Sequence, residues 1–249
     1  MLYICIPTYN EAPTVGVLLW RIRKVFQGFS REYEILVYDD ASTDGTSDAL
    51  QPYSEVIPLT VIRGNERKGY AHAVSALARE VSRKTKYARR DGMLIMQADF
   101  TDQPEHIPEL VKRFEGGVDI VIAQSDVHQA PVAVRRMYSI ASRILRLFVK
   151  TGTVADPFRS YRLIRISVVR ELLKSLGGQP LLTTEGWAAD AELLLRAAKF
   201  ARKIDTVSLP ARYDLRTRET RVRPFPDAMR VFRFGRTARA AGLQMESGA

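Results

Sequence analysis

The chain has 249 residues, enough for one sizeable α/β domain or a domain with an appendage, and an apolar content that can fill a full core. A single cysteine excludes an internal disulfide, and with only three scattered histidines (His72, His106, His128) it excludes a zinc site. The formal net charge of +10 points to anionic partners, and no apolar run approaches the roughly 18–20 residues that span a bilayer.

Met1–Pro7 is too short and lacks the basic leader of a signal peptide, so it reads as a first strand, with Cys5 a buried hydrophobe inside it. Thr14–Phe26 follows with Val15, Leu18, Leu19, Ile22 and Phe26 at helical spacing. Tyr33–Tyr38 is a second strand ending at Asp39-Asp40. Ser42, Asp44 and Thr46 then offer caps for a short helix. Val56–Arg63 is predicted as a strand interrupted near Pro58, Gly69–Arg83 as a helix, and Met93–Gln97 as a strand running into Ala98-Asp99. Pro104–Phe114 is a helix and Val118–Ala123 a strand. Beyond it the pattern is less regular: helix Val132–Val149, strand Phe158–Arg165, helix Trp187–Phe200, strand Lys203–Leu209, helix Asp227–Ala240, and a frayed tail Leu243–Ala249.

Strands alternating with helices imply an α/β fold, a mostly parallel sheet covered by helices on both faces. Such sheets bind ligands outside the carboxyl ends of their strands. Three polar clusters, Thr8–Glu11, Asp39-Asp40 and Asp99–Asp102, each directly follow a strand, which is where a site would be built. A nucleoside-diphosphate sugar needs an acceptor for a base N–H, a partner for ribose hydroxyls and positive charge on its diphosphate. Asp40 can serve the base, Glu11 the ribose, and Asp99 can hold a divalent cation, Mg²⁺ or Mn²⁺, bridging the diphosphate. The bland reading of Asp99 is a cap on the turn before Pro104.

Ile6-Pro7-Thr8-Tyr9-Asn10-Glu11, Tyr38–Thr46, Asn65–Ala71 and Gln97-Ala98-Asp99, in this order, resemble glycosyltransferase family 2 with its GT-A Rossmann-like fold. Within it the chain is similar to the dolichol-phosphate mannosyltransferase branch. The resemblance is dense over residues 1–125. It thins through Asp156-Pro157-Phe158-Arg159-Ser160-Tyr161-Arg162 and reaches Asp190-Ala191-Glu192-Leu193-Leu194. It implies donor contacts by Pro7, Tyr9, Glu11 and Asp40, by Lys68 and Gly69 in a glycine turn, and by Gln97 and Ala98. It implies a metal role for Asp99, the second aspartate of the family's D-x-D. The first aspartate is Gln97 here, a poorer ligand for a hard cation, so metal binding is expected to weaken, to shift onto Asp99 and Asp102, or to depend more on the donor's phosphates.

On the acceptor side, transfer to a hydroxyl needs a carboxylate base, whereas an ionised phosphate acceptor needs none. Asp190 is the candidate base; the bland reading makes both Asp190 and Glu192 ordinary helix-surface charges. Glu192, two residues on along the helix, faces elsewhere and is expected to pair with Arg159 or Arg162. Trp187 can stack on an acceptor or fill a core or lid position. The branch's phosphate-contacting R-x-x-G-x-S-K segment is replaced by Arg216-Thr217-Arg218-Glu219-Thr220-Arg221, and its role carries over to Arg218 and Arg221 only; Arg159 is a further candidate contact for a phosphate or the acceptor. Residues 1–211 are expected to form the GT-A domain, with a donor half (1–125) and an acceptor half (126–211). Residues 212–249 are expected to form a basic extension. Its amphipathic helix either docks on the domain or lies on an anionic membrane.

The expected activity is hexose transfer, with inversion, from a GDP-mannose- or UDP-glucose-type donor to a polyprenyl phosphate or to a hydroxyl of a glycan or small molecule. The alternative is a non-catalytic nucleotide-sugar-binding protein. A cytoplasmic location is expected, with at most peripheral contact at the inner membrane face. No recognition helix or aromatic RNA platform is visible, so nucleic acid is not an expected partner.

Overall fold

A computed structural model describes residues 1–125, 130–152, 154, 156–216 and 223–245. Strands β1 (Leu2–Thr8), β2 (Tyr33–Asp39), β3 (Leu59–Arg63), β4 (Gly92–Ile95), β5 (Ile120–Gln124), β6 (Arg162–Arg165) and β7 (Ile204–Ser208) form one sheet in the order β3-β2-β1-β4-β6-β5-β7. Strands β1 to β4 run parallel, and β5 is parallel to β7; only β6 is antiparallel to its neighbours β4 and β5. The mostly parallel α/β sheet expected from the sequence is therefore present. Strand order reverses direction between β1 and β4, which opens a crevice at the carboxyl ends of β1, β2 and β4.

Helices cover both faces. Helices α1 (Ala12–Gly28) and α4 (Ile107–Glu115) bury Leu18, Leu19, Ile22, Leu110 and Phe114 against one face. Helices α3 (Tyr70–Lys84), α5 (Val132–Arg146), α6 (Ile166–Ser175), α7 (Trp187–Ala198) and α8 (Pro224–Ala240) build the larger core on the other. The short α2 (Thr46–Leu50) sits beside α1. Asp44 receives the Thr46 N–H at 3.1 Å and so caps it.

Several elements depart from the sequence pattern. Strand β3 begins at Leu59 rather than Val56, because the N–H groups of Val56 and Ile57 turn back onto the Tyr53 carbonyl. Strand β6 begins at Arg162 rather than Phe158, because Asp156 closes a turn by accepting the Phe158 N–H at 3.0 Å. Helix α6 was not anticipated. The tail is not frayed as far as it is described: Leu243 and Met245 are buried, and the Met245 N–H donates to the Lys150 carbonyl at 3.0 Å. Helix α8 packs Val231, Phe234 and Ala238 into the larger core.

Candidate active site

The register of β1 and β2 sets Thr8 opposite Asp39, so the polar residues after each strand emerge at one level. Asp39 is fully buried and structural: its carboxylate accepts the Ser42 N–H at 3.0 Å and the Ser47 hydroxyl at 2.6 Å. Asp40 turns the other way, into the crevice. Its two oxygens accept the backbone N–H groups of Lys68 and Gly69, each at 2.8 Å. Among the described residues three other than glycine hold left-handed backbone, Asn10 (φ 53°), Ala41 (φ 56°) and Phe100 (φ 62°). Each lies in the loop after β1, β2 or β4, so backbone strain is concentrated around the crevice.

The crevice is a cleft of about 810 Å³. Pro7, Tyr9 and Glu11 line it from the β1 loop, Asp40 from β2, Lys68 and Gly69 from the turn before α3, and Gln97 and Asp99 from the β4 loop. Asp102, Arg159, Trp187 and Asp190 border it from the acceptor side. Ala98 differs from expectation: it is turned away from the cleft into the core beneath α1 and α4. Arg218 and Arg221 lie outside the described residues.

Two residues unforeseen in the sequence join the donor side. The Arg67 guanidinium sits 3.9 Å above the Tyr9 ring, a cation–π contact at the expected nucleoside position. Glu185, in the irregular loop before α7, accepts the Ala71 N–H at 3.2 Å, beside Gly69. Burial holds the Glu185 carboxyl above the ordinary carboxylate range.

The β4 loop carries the carboxylates expected to meet a metal. Asp99 accepts the Thr101 N–H at 3.1 Å and pairs with Arg216 Nη2 at 2.8 Å. Asp102 accepts the Gln97 N–H at 2.8 Å and pairs with Arg159 Nη2 at 2.7 Å. Oδ1 of Asp102 is thus engaged in a buried ion pair and Oδ2 by a backbone N–H, so in this arrangement Asp102 spends both oxygens on the protein rather than on a cation shared with Asp99. Among the described residues no cluster of three His, Cys, Asp or Glu could hold a metal unaided. Mg²⁺ and Mn²⁺ sites in phosphate-transfer chemistry are commonly completed by the substrate's own phosphates. Asp99 fits as the protein ligand of such a shared site once Arg216 moves aside.

Asp190 is nearly sealed from solvent. The Tyr70 hydroxyl donates to its Oδ1 at 2.7 Å, and Arg162 Nη1 donates to its backbone carbonyl at 2.8 Å. Burial pushes the Asp190 carboxyl up to about 7, against the opposing pull of Arg162 and the Tyr70 hydrogen bond. Glu192 does not pair with Arg159 or Arg162. It pairs with Arg196 at 2.7 Å, one helical turn on, and accepts from the backbone and hydroxyls of Thr183 and Thr184. Arg162 is fully buried and spends its guanidinium on carbonyls of Pro157, Arg159 and Asp190. Trp187 stacks on Phe158 with centroids 6.0 Å apart, forming an aromatic wall at the acceptor end. Arg223, Asp227 and Arg230 at the start of α8 border the same end. Buried Nε–H groups of Arg159 and Arg216 meet no acceptor among the described residues.

Comparison with known proteins bears on this arrangement. A dolichol-phosphate mannosyltransferase of Pyrococcus furiosus is 39% identical over 119 residues, 48% of this chain and 31% of that protein. An undecaprenyl-phosphate 4-deoxy-4-formamido-L-arabinose transferase of Pseudomonas paraeruginosa is 30% identical over 173 residues, covering 68% of this chain and 48% of its own length. The chain thus spans less than half the length of either relative. Glucosyl-3-phosphoglycerate synthase of Mycobacterium tuberculosis, solved with Mn²⁺, UDP-glucose and phosphoglyceric acid, shares the GT-A fold at a TM-score of 0.64 and 17% identity, over 96% of this chain and 80% of that one. The model of the family described as glycosyl transferase family 2 matches residues 3–173, well over half of the chain, and carries the motif loops of β1, β2 and β4. The chain belongs to glycosyl transferase family 2.

Proposed function

We propose that the protein transfers a hexose, with inversion, from a nucleoside-diphosphate sugar to a polyprenyl phosphate. The observation that carries the acceptor half of this reading is that Arg159, buried, and Arg216, half-buried, both line the cleft while their buried Nε–H groups meet no acceptor among the described residues. Guanidinium forks suit phosphate oxygens, and an unmet buried donor is costly unless a ligand meets it. The two relatives, a dolichol-phosphate mannosyltransferase and an undecaprenyl-phosphate 4-deoxy-4-formamido-L-arabinose transferase, support the same choice.

On the donor side, Tyr9 and Arg67 offer a stacking platform for a base, and Glu11 an acceptor for ribose hydroxyls. Asp40 fixes the Lys68-Gly69 turn and so shapes the wall the donor meets. An acceptor phosphate oxygen attacks the anomeric carbon as the bond to the diphosphate breaks, and the nucleoside diphosphate leaves with the bonding electrons. A divalent cation, when bound, neutralises charge on that leaving group. Asp99 would hold it, together with donor phosphates. Arg159 and Arg216 orient the incoming phosphate, and the Trp187–Phe158 wall excludes water on that side.

A second acceptor reading rests on Asp190. A buried carboxyl held near 7 and oriented by Tyr70 suits a general base for a hydroxyl acceptor. Assay of UDP- and GDP-sugars with Mg²⁺ or Mn²⁺, against a polyprenyl phosphate and against sugar hydroxyls, separates the two. Asp190→Asn should leave phosphate glycosylation near normal and abolish hydroxyl transfer. Asp40→Ala and Asp99→Ala that both leave donor binding and turnover intact would sink the site assignment altogether.

A further inference from the structure

The positive charge of this chain is not spread over it. Residues 130–152 and 223–245 hold ten Lys and Arg against one Asp, nearly all of the chain's net +10. These segments are helices α5 and α8 with their flanks, and the two helices pack side by side. Gly235 lies in the middle of α8, where glycine costs about 1 kcal/mol of helix stability. Its reason is close approach: a Cβ there would lie 2.6 Å from the Phe148 ring. Phe148 in turn meets Phe232 edge to face at 5.3 Å, so the outer stripes of the two helices join at that seam.

Both stripes mix large apolar side chains with arginine. On α8, Phe225, Met229, Phe232, Arg236 and Arg239 recur at spacings of three and four, which sets them along one side. On α5, Val132, Arg136, Ile140, Arg143 and Leu147 recur in the same way. Phe225 is 76% exposed and Leu147 73%, the two most exposed large hydrophobic residues described. The single acid, Asp227, is buried and paired with Arg230 at 2.8 Å, so no exposed carboxylate is described on either stripe. Solvation alone accounts for exposed arginine but not for exposed Phe and Leu set among it.

We propose that the joined outer stripes of α5 and α8 dock on an anionic lipid surface. Apolar rings enter the headgroup boundary, while arginine stems lie along it and present guanidiniums to lipid phosphates. Among the described residues no helix is long and apolar enough to cross a membrane, so the contact is one of lying on the bilayer. The docking is independent of which acceptor the cleft takes. Because Arg223 and Arg230 at the start of α8 border the cleft, the same contact would also set the acceptor end beside the bilayer; that consequence alone rests on the polyprenyl-phosphate reading.

Co-sedimentation of the whole protein with vesicles of phosphatidylcholine alone, or of phosphatidylcholine with phosphatidylglycerol, tests this. Binding is expected to favour the anionic vesicles by about tenfold or more and to fall with added salt. The double variant Arg143→Glu/Arg236→Glu should lose at least about tenfold of that binding. Leu147→Ser/Phe225→Ser should weaken it while keeping its salt dependence. All four positions are exposed and outside the cleft, so melting temperature and nucleotide-sugar binding should not change. Equal partition to both vesicle types, no loss in either variant, or tighter binding to random duplex DNA than to anionic vesicles would overturn the proposal. Loss of donor binding in the wild-type protein would instead strike the functional reading and leave the docking result standing.

Discussion

Arg216 Nη2 lies 2.8 Å from Asp99 Oδ2 and 3.1 Å from the Thr101 hydroxyl, so a guanidinium stands at the carboxylate proposed to hold a donor-bound cation. A cation and Arg216 cannot share that oxygen without repulsion. Arg216→Ala should therefore tighten binding of Mn²⁺ in the presence of a nucleoside diphosphate by about tenfold, a loss of roughly 1.4 kcal/mol of competition. Glycosyl transfer should fall in the same variant, because its phosphate contact is gone. Titration of Mn²⁺ by electron paramagnetic resonance reads the first effect and turnover the second. Unchanged or weaker Mn²⁺ binding would show that Arg216 does not guard Asp99.

Gly69 joins the donor turn to α3 at φ +94°, and a Cβ there would lie 2.7 Å from Glu185 Oε1. Gly69→Ala is thus strained in backbone and crowded by a half-buried carboxylate. It should lower stability by about 2–3 kcal/mol and weaken donor binding. Adding Glu185→Ser removes the crowding but not the strain, so melting temperature should recover only in part. Full recovery would place the whole cost in the contact with Glu185.

That the loops after β1, β2 and β4 would meet at one cleft was legible, because each follows an apolar run that reads as a buried strand and such sheets gather their loops at the strands' carboxyl ends. Glu185 and Arg67 left no such mark. Each sits in irregular chain, and only the fold brings Glu185 against Gly69, 116 residues away in sequence. Arg162 misleads in the opposite sense: a guanidinium reads as surface or ligand contact, yet here it is fully buried and serves backbone carbonyls. The antiparallel β6 was hidden because a four-residue strand buried on both faces reads the same in either direction. Helix α6 follows β6 directly, without a capping side chain to announce it.

The Asp190 carboxyl makes two pH predictions. It is harder to ionise in the fold than in the unfolded chain, so its contribution to stability is full below the ordinary value of 3.8 and is lost as pH rises through about 7. Asp190→Asn should remove that decline, and melting curves at about pH 5 and pH 8 check it. In transfer to a hydroxyl the base must be ionised, so the rate should fall as pH drops through about 7. A phosphate acceptor brings its own titration near pH 6. The limb belongs to Asp190 only if Asp190→Asn abolishes it.

Ala41 tests whether the strain around the cleft is structural. It holds φ 56° directly after Asp40, and its N–H donates to the Asp39 carbonyl at 2.9 Å in a tight turn. A left-handed backbone costs an L-residue with a Cβ roughly 1–2 kcal/mol, whereas glycine adopts it freely. Glycine also gives the unfolded chain more freedom, which offsets about half of the gain. Ala41→Gly should therefore raise stability by about 0.5–1 kcal/mol, seen as a rise of about 1–4 °C in melting temperature. Donor affinity should fall at the same time, because a turn held by an over-determined Ala41 keeps Asp40 aimed at the N–H groups of Lys68 and Gly69. A more stable variant with unaltered donor affinity would show that the strain at residue 41 plays no part in shaping the site.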